Sequence, residues 1–268
     1  MSKILYITKK YEKEVQESID IKGLDIQYKK LEIDLDCYKH PKEHPNDSIN
    51  DEVSFYDIIG DSYSLIANEY YLAENDTRNF IKNIYLFLLA KSKSYKHENN
   101  GIEIMRKNIK KKHENKTEHE KIMFCAASIG KLVLFEPYGN NLGCEIIKAM
   151  YHEDYEKAEE LVTQLPDTAE IYEKEKYWAS YCYESKYLKA LYQAILSKDE
   201  KAFNKALADR IKFIRKGYVM PVDVVSVTMI KFARKLGLDY NFDVIEIPKA
   251  LLDDLSDVPF EEYQLPEV

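Results

Sequence analysis

Along most of this chain, apolar residues return every three or four positions, the spacing of a single helix face. Phe55, Ile58, Ile59, Tyr63, Ile66 and Tyr70 make the first clear stripe. Asp76-Thr77 offers a cap for a second helix through Phe80, Ile84, Phe87, Leu88 and Ala90. The longest apolar run, Ile122 to Phe135, is interrupted by Ser128, Gly130 and Lys131 and reads as a buried helix. A membrane span needs about 20 apolar residues, more than this run supplies. Residues 77–135 suit a helical pair joined by the charged stretch 91–120.

After Glu136-Pro137-Tyr138-Gly139-Asn140-Asn141, a strong break, the stripes shorten into hairpins. Cys144, Ile147 and Met150 form one stripe, His152-Glu153-Asp154 a polar turn, and Tyr155, Ala158, Leu161, Val162 and Leu165 the next, closed by Pro166. A longer helix from about Glu170 carries Tyr177, Trp178, Tyr181, Cys182, Leu188, Leu191 and Ile195. Ser197-Lys198-Asp199-Glu200 matches a capping box, with Ser197 as the cap and Glu200 reaching back. Ala202, Phe203, Ala206, Leu207, Ile211 and Ile214 continue, ending in Lys212, Arg215 and Lys216 before Gly217. Pro221 opens a last helix through Val225, Met229, Phe232 and Leu236, and Gly237 closes it. Ala149 and Ala194 each precede an aspartate by five residues, Asp154 and Asp199, and apolar residues recur at 158 and 203 and at 162 and 207. This 45-residue echo suits a solenoid-like hairpin repeat.

Residues 1–50 are patterned differently. Lys10 to Ile19 suits a helix. Ile26, Tyr28, Leu31, Ile33 and Leu35 alternate with polar residues as on a strand, while the slip at Lys29-Lys30 fits a bulge or an extended arm equally well. His40-Pro41 and His44-Pro45 then mark a loop. The expected fold is therefore mostly all-α, built of antiparallel helical hairpins with a repeat-like character, preceded by a short extended or strand-like segment. Two regions are expected, 1–135 with the extended arm and 136–268 with the hairpins, packed separately or as one domain.

Composition agrees with helices. Gly and Pro number eight each, too few for the tight turns of an all-β fold. Charged residues reach 32%, which suits long solvated helix faces. A net charge of −8 disfavours general nucleic-acid binding and suits a basic protein partner. Arg106, Lys107, Lys110, Lys111 and Lys112 form a local basic run, read as a solvated face or connection. Cys37, Cys125, Cys144 and Cys182 are widely spaced without a CxxC pair, as expected of buried thiols in a reducing compartment. The N-terminus lacks the apolar stretch of a signal peptide, so a cytoplasmic location is expected.

The chain carries no Gly-rich phosphate loop, no GxSxG elbow and no HExxH. His113 and His119 lie among Glu114, Glu118 and Glu120 and read as surface residues, not metal ligands. Glu159-Glu160 and Asp253-Asp254 are neighbours that point about 100° apart on a helix, so they cannot converge as an acid–base pair. No enzyme activity, metal or cofactor is expected. Trp178 and Tyr181 continue an apolar stripe and belong in a core, whereas Tyr183 lies off that face and suits an interface. The candidate partner-binding residues are the acidic and aromatic groups near the hairpin turns, Glu153, Asp154, Tyr155 and Tyr183, although Asp154 serves equally as a helix cap.

One stretch carries a family likeness. Leu191, Ala194, Asp199, Phe203, Ala206-Leu207 and Arg210 are followed by the Pro221 helix with Ala233 and Leu236-Gly237, then Ile247-Pro248 and Leu251-Leu252. In this order, Leu188 to Leu252 resembles the C-terminal part of the immunity protein 49 family of bacterial polymorphic-toxin systems. The resemblance implies a non-catalytic inhibitor that binds a cognate toxin and occludes it. The alternative is a helical-repeat scaffold or effector that binds some other protein. Least favoured is an enzyme whose residues converge only in the fold.

Overall fold

The computed structural model describes residues 23–43, 52–105, 114–137, 141–165, 179–217 and 222–267; side chains at 73–74, 96–105, 114–118, 179–186, 213 and 215–217 fall outside that description. Among these residues the regular structure is helical throughout. The helices are α1 (Gly23–Lys39), α2 (Glu52–Glu69), α3 (Thr77–Met105), α4 (Glu114–Ser128), α5 (Leu142–Tyr151), α6 (Tyr155–Thr163), α7 (Ala179–Leu196), α8 (Glu200–Gly217), α9 (Val224–Lys235) and the single turn α10 (Lys249–Leu252). They fall into two compact units. One holds α1–α3 with residues 129–136 and 253–267; the other holds α4–α10. The expected division at 135/136 therefore does not follow the units at two places: α4 belongs with the hairpins, and the last residues belong with α1–α3.

In the first unit, α1 corrects the strand-like reading of residues 26–35. Leu24, Leu31, Leu35 and Tyr38 share a helix face and pack on α2, while Ile26 and Ile33 are left 53% and 59% exposed. Leu31 and Leu35 fit both periods, and burial is gained with the helical one. Residues 40–43 form the expected turn; the helix expected over Lys10–Ile19 and the basic run 106–112 lie outside the described residues. Phe55, Ile59, Tyr63 and Ile66 on α2 are buried as their spacing predicted. Asp76 caps α3, its carboxylate accepting from the Asn79 amide at 3.0 Å. That backbone hydrogen bond holds the Asp76 carboxyl below the usual range.

The α2–α3 contact contains a polar lock. Lys91 on α3 is 2% exposed, and its Nζ lies 2.6 Å from Asp57 and 2.7 Å from Asp61, one turn apart on α2. Gly60 sits between them, and a Cβ there would stand 3.1 Å from the Lys91 side chain. Burial pushes the Lys91 ammonium down, but hydrogen bonds to Asp57 and Asp61 outweigh it and the net shift is upward. In the C-terminal segment, Phe260 packs on Tyr85 with ring centroids 4.8 Å apart.

In the second unit, α4 is buried on nearly every side from Ile122 to Ser128 and packs against α5 and α9. Thr228 Oγ1 donates to the Phe124 carbonyl at 2.8 Å and Lys231 Nζ to the Ser128 carbonyl at 2.6 Å. The expected single helix over Ile122–Phe135 stops at Ser128; Gly130 adopts a φ of 71°, and Leu132–Leu134 form a separate 3-10 turn. Past that turn, α5–α6 and α7–α8 form two hairpins, with α6 against α7.

The two hairpin turns share one hydrogen-bond pattern. In the first, Asp154 N–H donates to the Ala149 carbonyl at 2.9 Å and Glu153 N–H to Met150 at 3.3 Å. In the second, Asp199 N–H donates to Ala194 at 2.9 Å and Lys198 N–H to Ile195 at 3.0 Å. Glu153 and Lys198 take the left-handed conformation, with φ of 63° and 54°. Both turns are Schellman closures whose last residue is also the next helix's N-cap. Asp154 accepts from the Lys157 amide and Asp199 from the Ala202 amide. The 45-residue echo is thus a repeated turn. The capping-box assignment is corrected: Asp199 is the cap, and Ser197 Oγ donates back to the Gln193 carbonyl at 2.7 Å. Asp199 wins because it stands directly before the first helical residue, Glu200.

Candidate partner-binding surface

The hairpins set out three kinds of group: turn residues at the tips, a trough on one face, and an ionic core. At the first tip, Glu153 and Asp154 are exposed. Glu153 forms an ion pair with Lys235 at 3.1 Å, and Lys235 Nζ also donates to the Tyr151 carbonyl at 2.8 Å. Asp154 acts as a cap. Tyr155 is half-buried and its hydroxyl oxygen is shielded from solvent. Burial, and then the nearby Glu153 charge, push its phenol up. Three of the four candidate residues therefore gather at one tip, where Glu153 and Asp154 also perform structural tasks. Tyr183 belongs to α7, and its side chain lies outside the described residues. The same holds for the Tyr181 side chain and for Trp178.

Between α6 and α8 lies an open trough of about 620 Å³, floored by α7. It exists because the residues facing it are small. Ala190 and Ala194 stand one turn apart on α7, and Ala202 and Ala206 one turn apart on α8. Val162 closes the α6 side, with Gln193 and Ser197 supplying polar atoms along the floor. Glu159 stands on the α6 wall; Lys205 and Asp209 stand on the α8 wall. The sequence pattern places Ala194, Ala202 and Ala206 in the hairpin packing and does not single out Ala190; with Ala190 they line an open surface. The signal was present: two alanine pairs with a spacing of four, on consecutive helices.

Below the trough, α8 turns a charged residue inward. Arg210 is buried, and its Nε and Nη2 each lie 2.9 Å from the Asp223 carboxylate. Ser226 donates to the same carboxylate, and the Asp223 amide donates to the Glu246 carbonyl at 2.8 Å. Arg210, read as a marker in the sequence, thus ties α8 to the start of α9. A fork-like guanidinium–carboxylate pair fixes register as well as adding attraction.

Among the described residues the thiols are not poised for chemistry; the Cys182 side chain lies outside that description. Cys37, Cys125 and Cys144 are buried, and burial pushes Cys125 up to about 12. Cys144 is also raised by burial and by Glu120, so a thiolate is disfavoured. Glu120 presses its carboxyl against Gly143 in the first turn of α5, where a Cβ would collide with it. His119 is buried, which corrects its reading as a surface residue; His113 lies outside the described residues. Among the described residues no group of three His, Cys, Asp or Glu is placed to hold a metal ion. Nor, among them, is any helix long and apolar enough to cross a membrane. Glu159, Glu160, Asp253 and Asp254 are exposed.

No family model, curated protein or solved structure matches this chain.

Proposed function

We propose that this chain is a non-catalytic binding protein that neutralises a bacterial protein toxin by occluding it in the cytoplasm. One observation carries the binding reading: two hairpins with the same turn chemistry present a continuous helical face with an open trough between α6 and α8. Stacked hairpins form extended surfaces suited to other polypeptides. The toxin as partner comes from the resemblance of residues 188–252 to immunity protein 49. Residues that carry it have defined tasks: Asp199 caps α8, Arg210 locks α8 to α9, and Gly237 closes α9 with a φ of 81°. The net charge of −8 supports a basic toxin, since opposite charge speeds encounter.

Co-expression with the toxin encoded by the adjacent gene tests this. The expected result is restored growth and a co-purifying complex. Continued toxicity with no complex, at matched expression, would refute the immunity role. A second reading, a helical-repeat scaffold for a non-toxin protein, draws on the 45-residue turn repeat. It predicts stable capture of a regulatory or host protein and no protection.

A further inference from the structure

The trough has more structure than an apolar groove, because the exposed rims on its two sides differ in charge. On α6, Glu156, Glu159 and Glu160 are exposed, with Glu159 facing the trough and Glu156 one turn before it. Lys157, the one cation within that stretch, leans toward Glu145 at 3.6 Å. On α8, Lys201, Lys205 and Lys212 are exposed and spaced along the wall. The single acid among them, Asp209, lies 3.5 Å from Lys212. In the lining itself α6 supplies Glu159, and α8 supplies Lys205 and Asp209, the latter paired with Lys212; beyond it the exposed rim is acidic on α6 (Glu156, Glu160) and basic on α8 (Lys201), over a floor of mostly small side chains.

These charges are spaced in helical steps over about 6 Å on α6 and about 16 Å on α8, at about 1.5 Å per residue. A compact small molecule would need polar groups converging on one point, and here they stand apart on opposite walls. An α-helix fits instead, because it presents an apolar stripe with a charged flank on either side. Oppositely charged flanks against oppositely charged rims set its rotation, as flanking charges do in coiled coils.

We infer that the trough between α6 and α8 receives an amphipathic helix of the partner protein. That helix has small apolar residues on its inner stripe, Lys or Arg on the flank over α6, and Asp or Glu on the flank over α8. The inference rests on the reading of the chain as a binding protein and names the surface used.

The test uses the full chain and two stapled helical peptides about 18 residues long, with the same alanine–leucine inner stripe. One carries a Lys flank and a Glu flank; the other carries Glu on both. Fluorescence anisotropy is expected to show the mixed peptide binding about tenfold tighter, from several exposed charge pairs of a few tenths of a kcal/mol each. In the variant E156K/E159K/E160K the preference should reverse toward the doubly acidic peptide. Ala190→Trp, which fills the floor at an exposed position, should weaken both peptides at least tenfold without changing Tm.

Several results would overturn the inference: no saturable binding of the mixed peptide, no reversal in the charge variant, or binding indifferent to Ala190→Trp. A fall in Tm for Ala190→Trp would assign the trough to the chain's own packing. A concentration-dependent dimer abolished by Ala190→Trp would assign it to a second copy. Failure is separable from failure of the immunity role. Protection by the parent chain with no peptide binding removes the trough and keeps the role. Peptide binding as described without protection removes the role and keeps the trough.

Discussion

At the scale of single residues, Lys91 and Gly60 show how one polar contact constrains a helix pair. The Lys91 stem crosses α2 at the one position without a side chain, and its ammonium reaches two carboxylates on either side. Alanine at an exposed helix position usually gains about 1 kcal/mol over glycine. At position 60 a new Cβ would press on a side chain pinned at both oxygens, so that gain should vanish. Gly60→Ala is expected to be neutral or destabilising in the parent, and to stabilise by about 1 kcal/mol in a Lys91→Ala background. Urea melts of the four proteins give the coupling, and equal effects in both backgrounds would disprove the crossing. The ion pairs also have a pH signature. The Lys91 pKa is raised on folding, so its contribution is complete below the unfolded value near 10.4 and is lost as pH rises through the folded value. Asp57 and Asp61 are half exposed or more, so solvent screening limits the pairs to about 1 kcal/mol. The stability gap between the parent and Lys91→Met should therefore narrow above pH ~10.4.

At the scale of elements, the two hairpin turns are the best test of the repeat. Each uses one aspartate as both the end of a Schellman closure and the cap of the next helix. Asp154→Ala and Asp199→Ala should each cost about 1 kcal/mol, the usual value of a lost N-cap. Lys198→Gly should stabilise by several tenths of a kcal/mol or more, because Lys198 sits at a φ of 54° where glycine is at ease. Glu153→Gly should gain less, since it also gives up the Lys235 ion pair. Thermal melts check all four, and a destabilising Lys198→Gly would count against the assigned turn. These turns were legible beforehand, because Asp five residues after Ala leaves a local signature. The floor of the trough is not legible in the sequence, since Ala190 and Ala194 look the same whether a neighbour covers them or not. Likewise α1 was misread because Leu31 and Leu35 satisfy both periods, and the choice between them depends on α2. Which residues pair across the fold, such as Arg210 with Asp223, is a long-range fact that spacing does not contain.

At the scale of the molecule, the order of the chain does not match the order of its units. The chain leaves the α1–α3 unit to form α4, returns for residues 129–136, leaves again for α5–α10, and returns for its last residues. A cut between 135 and 136 looks natural in the sequence, since it falls at the Glu136-Pro137 break. It would nevertheless strip α4 from the hairpins. The hairpins would lose the packing of α9 on α4, together with the Thr228 and Lys231 bonds to Phe124 and Ser128. Burying one apolar side chain is worth about 1.5–3 kcal/mol, so uncovering two or three removes about 3–9 kcal/mol, a large part of a small domain's margin of about 5–15 kcal/mol. Fragment 136–268 is therefore expected to aggregate, or to melt without a cooperative transition by circular dichroism. Fragment 113–252 keeps α4 with its partners and should retain a cooperative melt. If 136–268 unfolds as sharply as 113–252, then α4 is dispensable to the hairpins and the second unit ends at the break.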